Sequence, residues 1–208
     1  MGLLGIGVEA ATPLSTHLNL RGGGNFFGYT DNLTSNGINY NANLHFRSAE
    51  ASLDWFPWAK GFHLSPGALL YNGNRITADA AVPAGDTFTL NNYTYTSSTA
   101  APVSGTGSIK FNKAAPKFTV GWGNMLPRSG RRFSVPVEIG FAYFGTPRVA
   151  LTLNGTACYD YQGQNYCSAV ATNPTIQANL MAQQQKISKD VSPARFFPLI
   201  STGFAYRF

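Results

Sequence analysis

The 208-residue chain reads as an all-β protein, an antiparallel up-and-down transmembrane β-barrel, on three observations. Charged residues make up only 12% of it, about half the share of roughly 25% usual in soluble domains, yet no apolar run reaches the 18 residues that a membrane-crossing helix needs. Apolar and polar residues alternate with period two in segment after segment, which turns one face of each strand outward and the other toward a lumen. Glycine (22), phenylalanine (15) and tyrosine (10) are plentiful, as twisted strands and interfacial aromatic girdles require. A mean hydropathy of -0.09 fits such alternation, and the length fits a single domain over residues 1–208.

The alternation predicts strands at residues 3–10, 17–29, 38–55, 62–72, 117–124, 133–145, 148–156 and 196–208. They pair in sequence as four hairpins, giving eight strands. Turn chemistry lies between them at Thr12-Pro13, at Pro57 to Gly61, and at Pro127-Arg128-Ser129-Gly130. In the third strand the apolar set Ile38, Tyr40, Ala42, Leu44, Phe46 changes parity to Ala51, Leu53, Trp55. A β-bulge near Ser48 and Ala49 is expected to restore the phase.

Two long connections interrupt the scheme. Residues 74–114 contain TFTLNNYTYT, in which Asn91-Asn92 suits a hairpin turn; two more strands there would make ten. Residues 157–194 carry both cysteines and then Asn173-Pro174, an N-cap followed by a proline suited to the first helical position. One short helix should follow, with Ile176, Leu180, Ile187 and Val191 on one face and Lys186 and Lys189 near its C-terminal end, packed on the barrel mouth or at the membrane surface.

The last stretch, FFPLISTGFAYRF, sets Ile200, Thr202, Phe204, Tyr206 and Phe208 on one face and Ser201, Gly203, Ala205 and Arg207 on the other. It resembles the closing strand of Gram-negative outer-membrane β-barrels, which end in Phe after alternating aromatic or apolar residues. The resemblance implies location in the bacterial outer membrane and contact with its lipid or lipopolysaccharide. It also implies a barrel-insertion machinery that reads Phe204, Tyr206 and Phe208, and a periplasmic Phe208. With eight strands, those at 17–29, 62–72, 133–145 and 196–208 would then all descend. That parity puts residues 74–114 on the periplasmic side, where such barrels keep their turns short. Met1 precedes GLLGIGVEA, with no basic region or cleavage site, so a mature chain with an added methionine is expected. In an oxidising envelope Cys158 and Cys167, the only cysteines, should form a disulfide.

With the outward faces so assigned, Glu9, Arg21, Arg47, Glu50, Asp54, Glu138, Arg148 and Arg207 form a lumenal charge network, joined by His17, His45, His63 and Lys117. Eight strands leave an interior just wide enough for side chains to fill, so these charges should pair with one another. A hydrolase built from His63, Ser65, His17 and Glu138 is the sharper alternative, but no G-x-S-x-G elbow accompanies them. No catalytic residue, cofactor or metal site is assigned: the three histidines lie on separate strands without ligand spacing, and Gly22-Gly23-Gly24 precedes no helix. The net charge of +6 is scattered apart from Arg128, Arg131 and Arg132, so nucleic acid is not an expected partner. A structural or interaction role, or narrow passage of small solutes, is expected. The alternatives are a soluble lipocalin-like barrel holding an apolar ligand, and a lipid-modifying envelope enzyme.

Overall fold

The computed structural model describes residues 1–35, 38–58, 60–126 and 132–208. Among them the chain forms β1 (Ile6–Pro13), β2 (Leu18–Ser35), β3 (Ile38–Trp55), β4 (Phe62–Asn72), β5 (Arg75–Ala81), β6 (Thr87–Leu90), β7 (Tyr93–Ser97), β8 (Ser104–Lys110), β9 (Ala115–Trp122), β10 (Phe133–Ser134), β11 (Val137–Tyr143), β12 (Arg148–Asn154), β13 (Thr156–Tyr161) and β14 (Gln164–Ala169). Helix α1 (Pro174–Asp190), a 3-10 turn, β15 (Phe196–Thr202) and β16 (Ala205–Tyr206) complete it. The strand count thus exceeds the expected eight. The turn at Pro127-Arg128-Ser129-Gly130 and the cations Arg128 and Arg131 lie outside the described residues.

The architecture grows from one hairpin. β2 and β3 pair without interruption from Leu18↔Trp55 to Ser35↔Ile38. The other edge of β3 takes two strands in succession, β4 along its second half and β5 along its first. Between them the chain breaks at Gly73-Asn74, where the Asn74 side chain accepts a hydrogen bond from Arg47 N at 2.8 Å. The same break recurs across the sheet: β4 pairs β9, which pairs β11, while β5 pairs β8, which pairs β12. Each of these staves is therefore a lower strand continued by an upper one.

The lower strands curl into a wall in the order β1-β2-β3-β4-β9-β11-β15. A stub at Met1–Leu3 closes it. Thr202 N donates to Met1 O at 2.9 Å and Leu3 N to Ile200 O at 3.1 Å, while Gly2 also bridges Gly5 across a tight turn. That turn needs glycine, because Gly5 has φ of +109° and a Cβ there would stand 2.4 Å from Phe26 O.

This stub, and not residues 148–156, lies beside the last strand. β12 sits on the far edge of the upper sheet because its Leu151 and Leu153 pack against the cluster of Val82, Phe88, Leu90, Tyr95, Val103, Val170, Ile176 and Leu180. The pairings correct the expected directions as well. β2, β4 and β11 run opposite to β15, so residues 73–114 and 144–195 both emerge at the end away from Phe208.

The expected phase-restoring bulge in β3 also needs correction. The β3–β4 register does shift between Ala49 and Glu50, but Ala49 faces Tyr71 and Glu50 faces Leu69, so the extra residue is Leu70 on β4. β3 keeps one alternation throughout. Ala49, Ala51, Leu53 and Trp55 point outward below, and Arg47, His45 and Asn43 point outward above. Leu44 and Phe46 face inward, where Phe46 meets Phe197 edge-on at 6.1 Å.

Above the wall, β6 and β7 form the hairpin expected at Asn91-Asn92, whose φ values of 48° and 68° are the left-handed pair of such turns. The Asn173 side chain caps α1 by accepting from Thr175 N and Ile176 N, and Ile176 and Leu180 are buried under the helix. Cys158 and Cys167 are directly paired across β13 and β14 and are joined by a disulfide.

Where the two levels meet, Leu4, Leu69, Ala115, Ala142, Phe144 and Leu199 fill the lumen as an apolar plug, with Phe111 and Phe197 against it. The Phe144 and Phe197 rings stack 4.9 Å apart. Phe144→Ala should cost about 3 to 5 kcal/mol, because the plug is contributed by four staves and cannot collapse onto the void. Urea unfolding in detergent micelles measures it; a loss under about 1 kcal/mol would show that the plug is loosely packed.

Candidate functional site

The lumen on the C-terminal side of the plug is polar and densely paired. Arg21 of β2 stands at its centre, buried, with Nη1 against Glu138 of β11 at 2.5 Å and Glu9 of β1 at 3.3 Å, and Nη2 against Asp54 of β3 at 3.0 Å. One guanidinium thus ties together four staves. Period-two alternation makes this possible: Glu9, Arg21, Asp54 and Glu138 all occupy inward positions.

The carboxylates are held a second time from other strands. Thr119 Oγ1 donates to Glu138 Oε2 at 2.9 Å, and Ser65 Oγ donates to Asp54 Oδ1 at 2.7 Å. His63 Nε2 lies 3.2 Å from Glu138 Oε1, and its Nδ1 lies 3.1 Å from Gly61 O. Gly121, opposite His63, leaves the imidazole its space: a Cβ there would fall 2.6 Å from Nε2. Closer to the plug, Lys117 Nζ pairs Glu50 at 2.9 Å. Two fixed cations therefore face four carboxylates, Glu9, Glu50, Asp54 and Glu138. Glu9, Arg21, Glu50, Lys117 and Glu138 border a cavity of about 650 Å³ that reaches the N-terminal stub and residues 199–205.

Five of the eight residues expected in the network, Glu9, Arg21, Glu50, Asp54 and Glu138, meet there. Arg47, Arg148 and Arg207 do not, which corrects the expectation. Arg47 and Arg148 are exposed on the outer face of the upper level, because β3 keeps its phase and β12 is no stave of the wall. Arg207 is exposed at the C-terminal end, after the chain leaves the wall at Gly203 and Phe204 to pair β16 with β10. His17 is exposed in the turn beside Thr16, and His45 faces outward. The hydrolase grouping is likewise not assembled: Ser65 is engaged with Asp54 and His63 with Glu138, while the exposed His17 ring meets Thr16.

Phe204 is 94% exposed and Tyr206 and Phe208 are exposed beside it, while Ala205 between them is buried. The alternation read in the last stretch thus holds through its aromatic residues. The plug is not legible in the sequence, because Leu69, Ala142 and Leu199 take ordinary inward strand positions and Phe111 and Phe144 lie in breaks, which carry no alternation to read.

Removing the guanidinium should be severe. Arg21→Met leaves Glu138, Asp54 and Glu9 uncompensated and should cost about 3 to 5 kcal/mol. Denaturant titration in micelles at neutral pH checks it, and full stability of the variant would contradict the central role given to Arg21.

No protein-family model matches the chain, and no curated protein matches it. Two crystal structures do resemble it, those of Acinetobacter baumannii CarO and CarO2. Each superposes with a TM-score of 0.59 at 22% sequence identity, covering 100% of this chain and 94% of the other. The likeness is one of fold, a curled antiparallel β-barrel.

Proposed function

We propose that this chain is a β-barrel of the bacterial outer membrane with a sealed lumen, serving a structural or interaction role and passing at most small solutes. The observation that carries the reading is the inversion of the wall. Val8, Leu20, Phe26, Leu53, Trp122, Ile139, Phe141 and Ile200 are exposed on its outside, and Arg21, Lys117, Glu138 and Asp54 are buried within. A water-soluble barrel that stores an apolar ligand has the opposite arrangement. Exposed apolar surface this continuous needs a partner, and a bilayer covers every side of a wall at once.

The ends support an orientation. Trp55, Trp58, Phe62, Trp122, Phe133 and Tyr206 gather toward the C-terminal end, as an interfacial girdle would. The turns at residues 14–17 and 56–61 on that side are short, whereas the long segments emerge opposite. With Phe208 periplasmic, the upper level is extracellular and the usual asymmetry of such barrels is kept. The same orientation presents Phe204, Tyr206 and Phe208 to the insertion machinery.

In planar bilayers the protein should show little conductance, because the plug closes the lumen beyond the cavity that the charge pairs border. Large, stable pores would overturn the sealed-lumen reading. Insertion has its own test. Ile139, 62% exposed between Val120 and Ile200, should tolerate arginine poorly, with a cost of about 2 to 4 kcal/mol for folding into liposomes if it lies at mid-membrane. Phe204→Arg at the wall's end should cost only about 0 to 1 kcal/mol. Equal costs for the two, or folding that ignores lipid altogether, would refute the membrane assignment.

A further inference from the structure

The strand register assembles a feature that the lumen does not use. Arg148 of β12 pairs Lys110 of β8, Lys110 pairs Arg75 of β5, and Arg75 pairs His45 of β3. Direct partners in an antiparallel sheet share a face, so these four side chains stand in one row across four strands, about 14 Å long at the usual strand spacing. The face is the outward one, since His45 continues the outward set of β3. Arg75, Lys110 and Arg148 are exposed, as is Arg47 two residues from His45.

Like charges placed directly opposite destabilise a sheet, and here no ion pair among the described residues offsets them. Among the described residues neither Arg75, Lys110 nor Arg47 has an ion-pair partner, and Arg148 reaches only the neutral amide of Asn112 at 3.4 Å. The carboxylate that β5 carries on this face, Asp79, stands four residues beyond Arg75, about 13 Å along the strand.

The row lies at the margin of the apolar wall. On β3 the outward sequence passes from Leu53, Ala51 and Ala49 directly to Arg47 and His45. On β4 the exposed Leu70 and Tyr71 precede Arg75, and on β11 the exposed Tyr143 precedes Arg148. Apolar belt, then tyrosine, then cation is the order met on crossing from acyl chains to headgroups.

We propose that His45, Arg75, Lys110 and Arg148, with Arg47, form a binding site for the phosphate groups of a phosphorylated glycolipid of the outer leaflet, its acyl chains lying along the outside of β3, β4 and β9. This rests on the membrane orientation given above. Arginine forks grip phosphate in two-point geometry, and lysine adds a point charge. Continuity with the belt selects a lipid over a free anion, because the chains of a bound headgroup would fall on apolar surface. The protein's own cations take the place that a divalent metal ion would hold between such headgroups, so binding should persist in a chelator.

The test uses the full chain reconstituted in neutral-lipid nanodiscs with EDTA, titrated with bis-phosphorylated lipid A, its dephosphorylated form, or inorganic phosphate. The wild type should bind the phosphorylated lipid, weaken as salt rises, and ignore the other two. The triple variant Arg75→Gln, Lys110→Gln, Arg148→Gln should insert normally and lose affinity on the order of a hundredfold. Lys186→Gln with Lys189→Gln, exposed on α1, should lose nothing. Equal affinity for the dephosphorylated lipid, or an unaffected triple variant, would overturn the site. Phosphate bound as tightly as the lipid would mark a soluble-anion site and overturn the lipid assignment. The wild-type comparison of the two lipids decides the matter even if the triple variant fails to insert. A wild type that does not enter nanodiscs would refute the membrane reading and this site with it, an outcome distinct from insertion without phosphate preference.

Discussion

The unbroken alternation of β3 is the constraint on which the rest of this structure depends. Over Ile38–Trp55 the strand never changes phase against β2, so each of its faces is fixed for the whole height of the molecule. What changes is the surroundings. Below Ser48 the outward face is apolar and the inward face polar; above it the outward face carries Arg47, His45 and Asn43, and the inward face carries Phe46 and Leu44. A single strand therefore crosses from a region whose outside is apolar to one whose outside is polar. β2 crosses with it unbroken, whereas the staves on the other side of β3 cross the same boundary by breaking, at residues 73–74, 111–114 and 144–147.

Those breaks have a packing consequence. Where a strand stops and restarts, its side chains are free of strict alternation and can turn into the lumen, as Phe111 and Phe144 do. Together with residues of the intact stretches they make a buried apolar layer, which offers an ion no polar partner. Immediately beside it Arg21 and Lys117 are buried with four carboxylates. Buried ion pairs seldom raise net stability over an apolar core of the same shape, so the network is better understood as register control. A one-residue slip of β1, β2, β3 or β11 would turn Glu9, Arg21, Asp54 or Glu138 outward, each leaving its partners unpaired.

Much of this was legible from residue order alone. Period two marked β2, β3, β4, β9 and β11, the Asn91-Asn92 pair marked a turn that left-handed φ values require, and Asn173-Pro174 marked the start of α1. The closing strand was legible through the exposed Phe204 and Tyr206 flanking buried Ala205. Neighbour relations were not. Residues 148–154 alternate as a barrel stave does, but Leu151 and Leu153 find their apolar partner in α1 and not in lipid, and period two cannot tell one apolar environment from another. That single misplacement reversed the direction of every earlier strand, while the true partner of β15, Met1–Leu3, is too short to show any period. Arg47 and Arg148 were misplaced for a related reason: a charged residue on an apolar-looking strand reads as lumenal until the height at which the wall's apolar belt ends is known.

The same topology limits how the lumen can open. Leu69, Ala115, Ala142, Phe144 and Leu199 of the plug belong to, or directly follow, staves paired on both sides, so moving any of them outward breaks ladder hydrogen bonds, which the bilayer proposed around the wall would offer no water to replace. Leu4 is different. It sits in the Gly2–Gly5 turn, which is tied to β15 chiefly through Leu3 N to Ile200 O and Thr202 N to Met1 O. It also borders the cavity that Arg21, Glu50, Lys117 and Glu138 line. Release of this stub exposes few backbone groups and removes one side of the plug without disturbing the register of β2 and β3. The side of the lumen that is weakest against opening is therefore the inside of β1 past Glu9 and Arg21, and not the centre of the apolar layer.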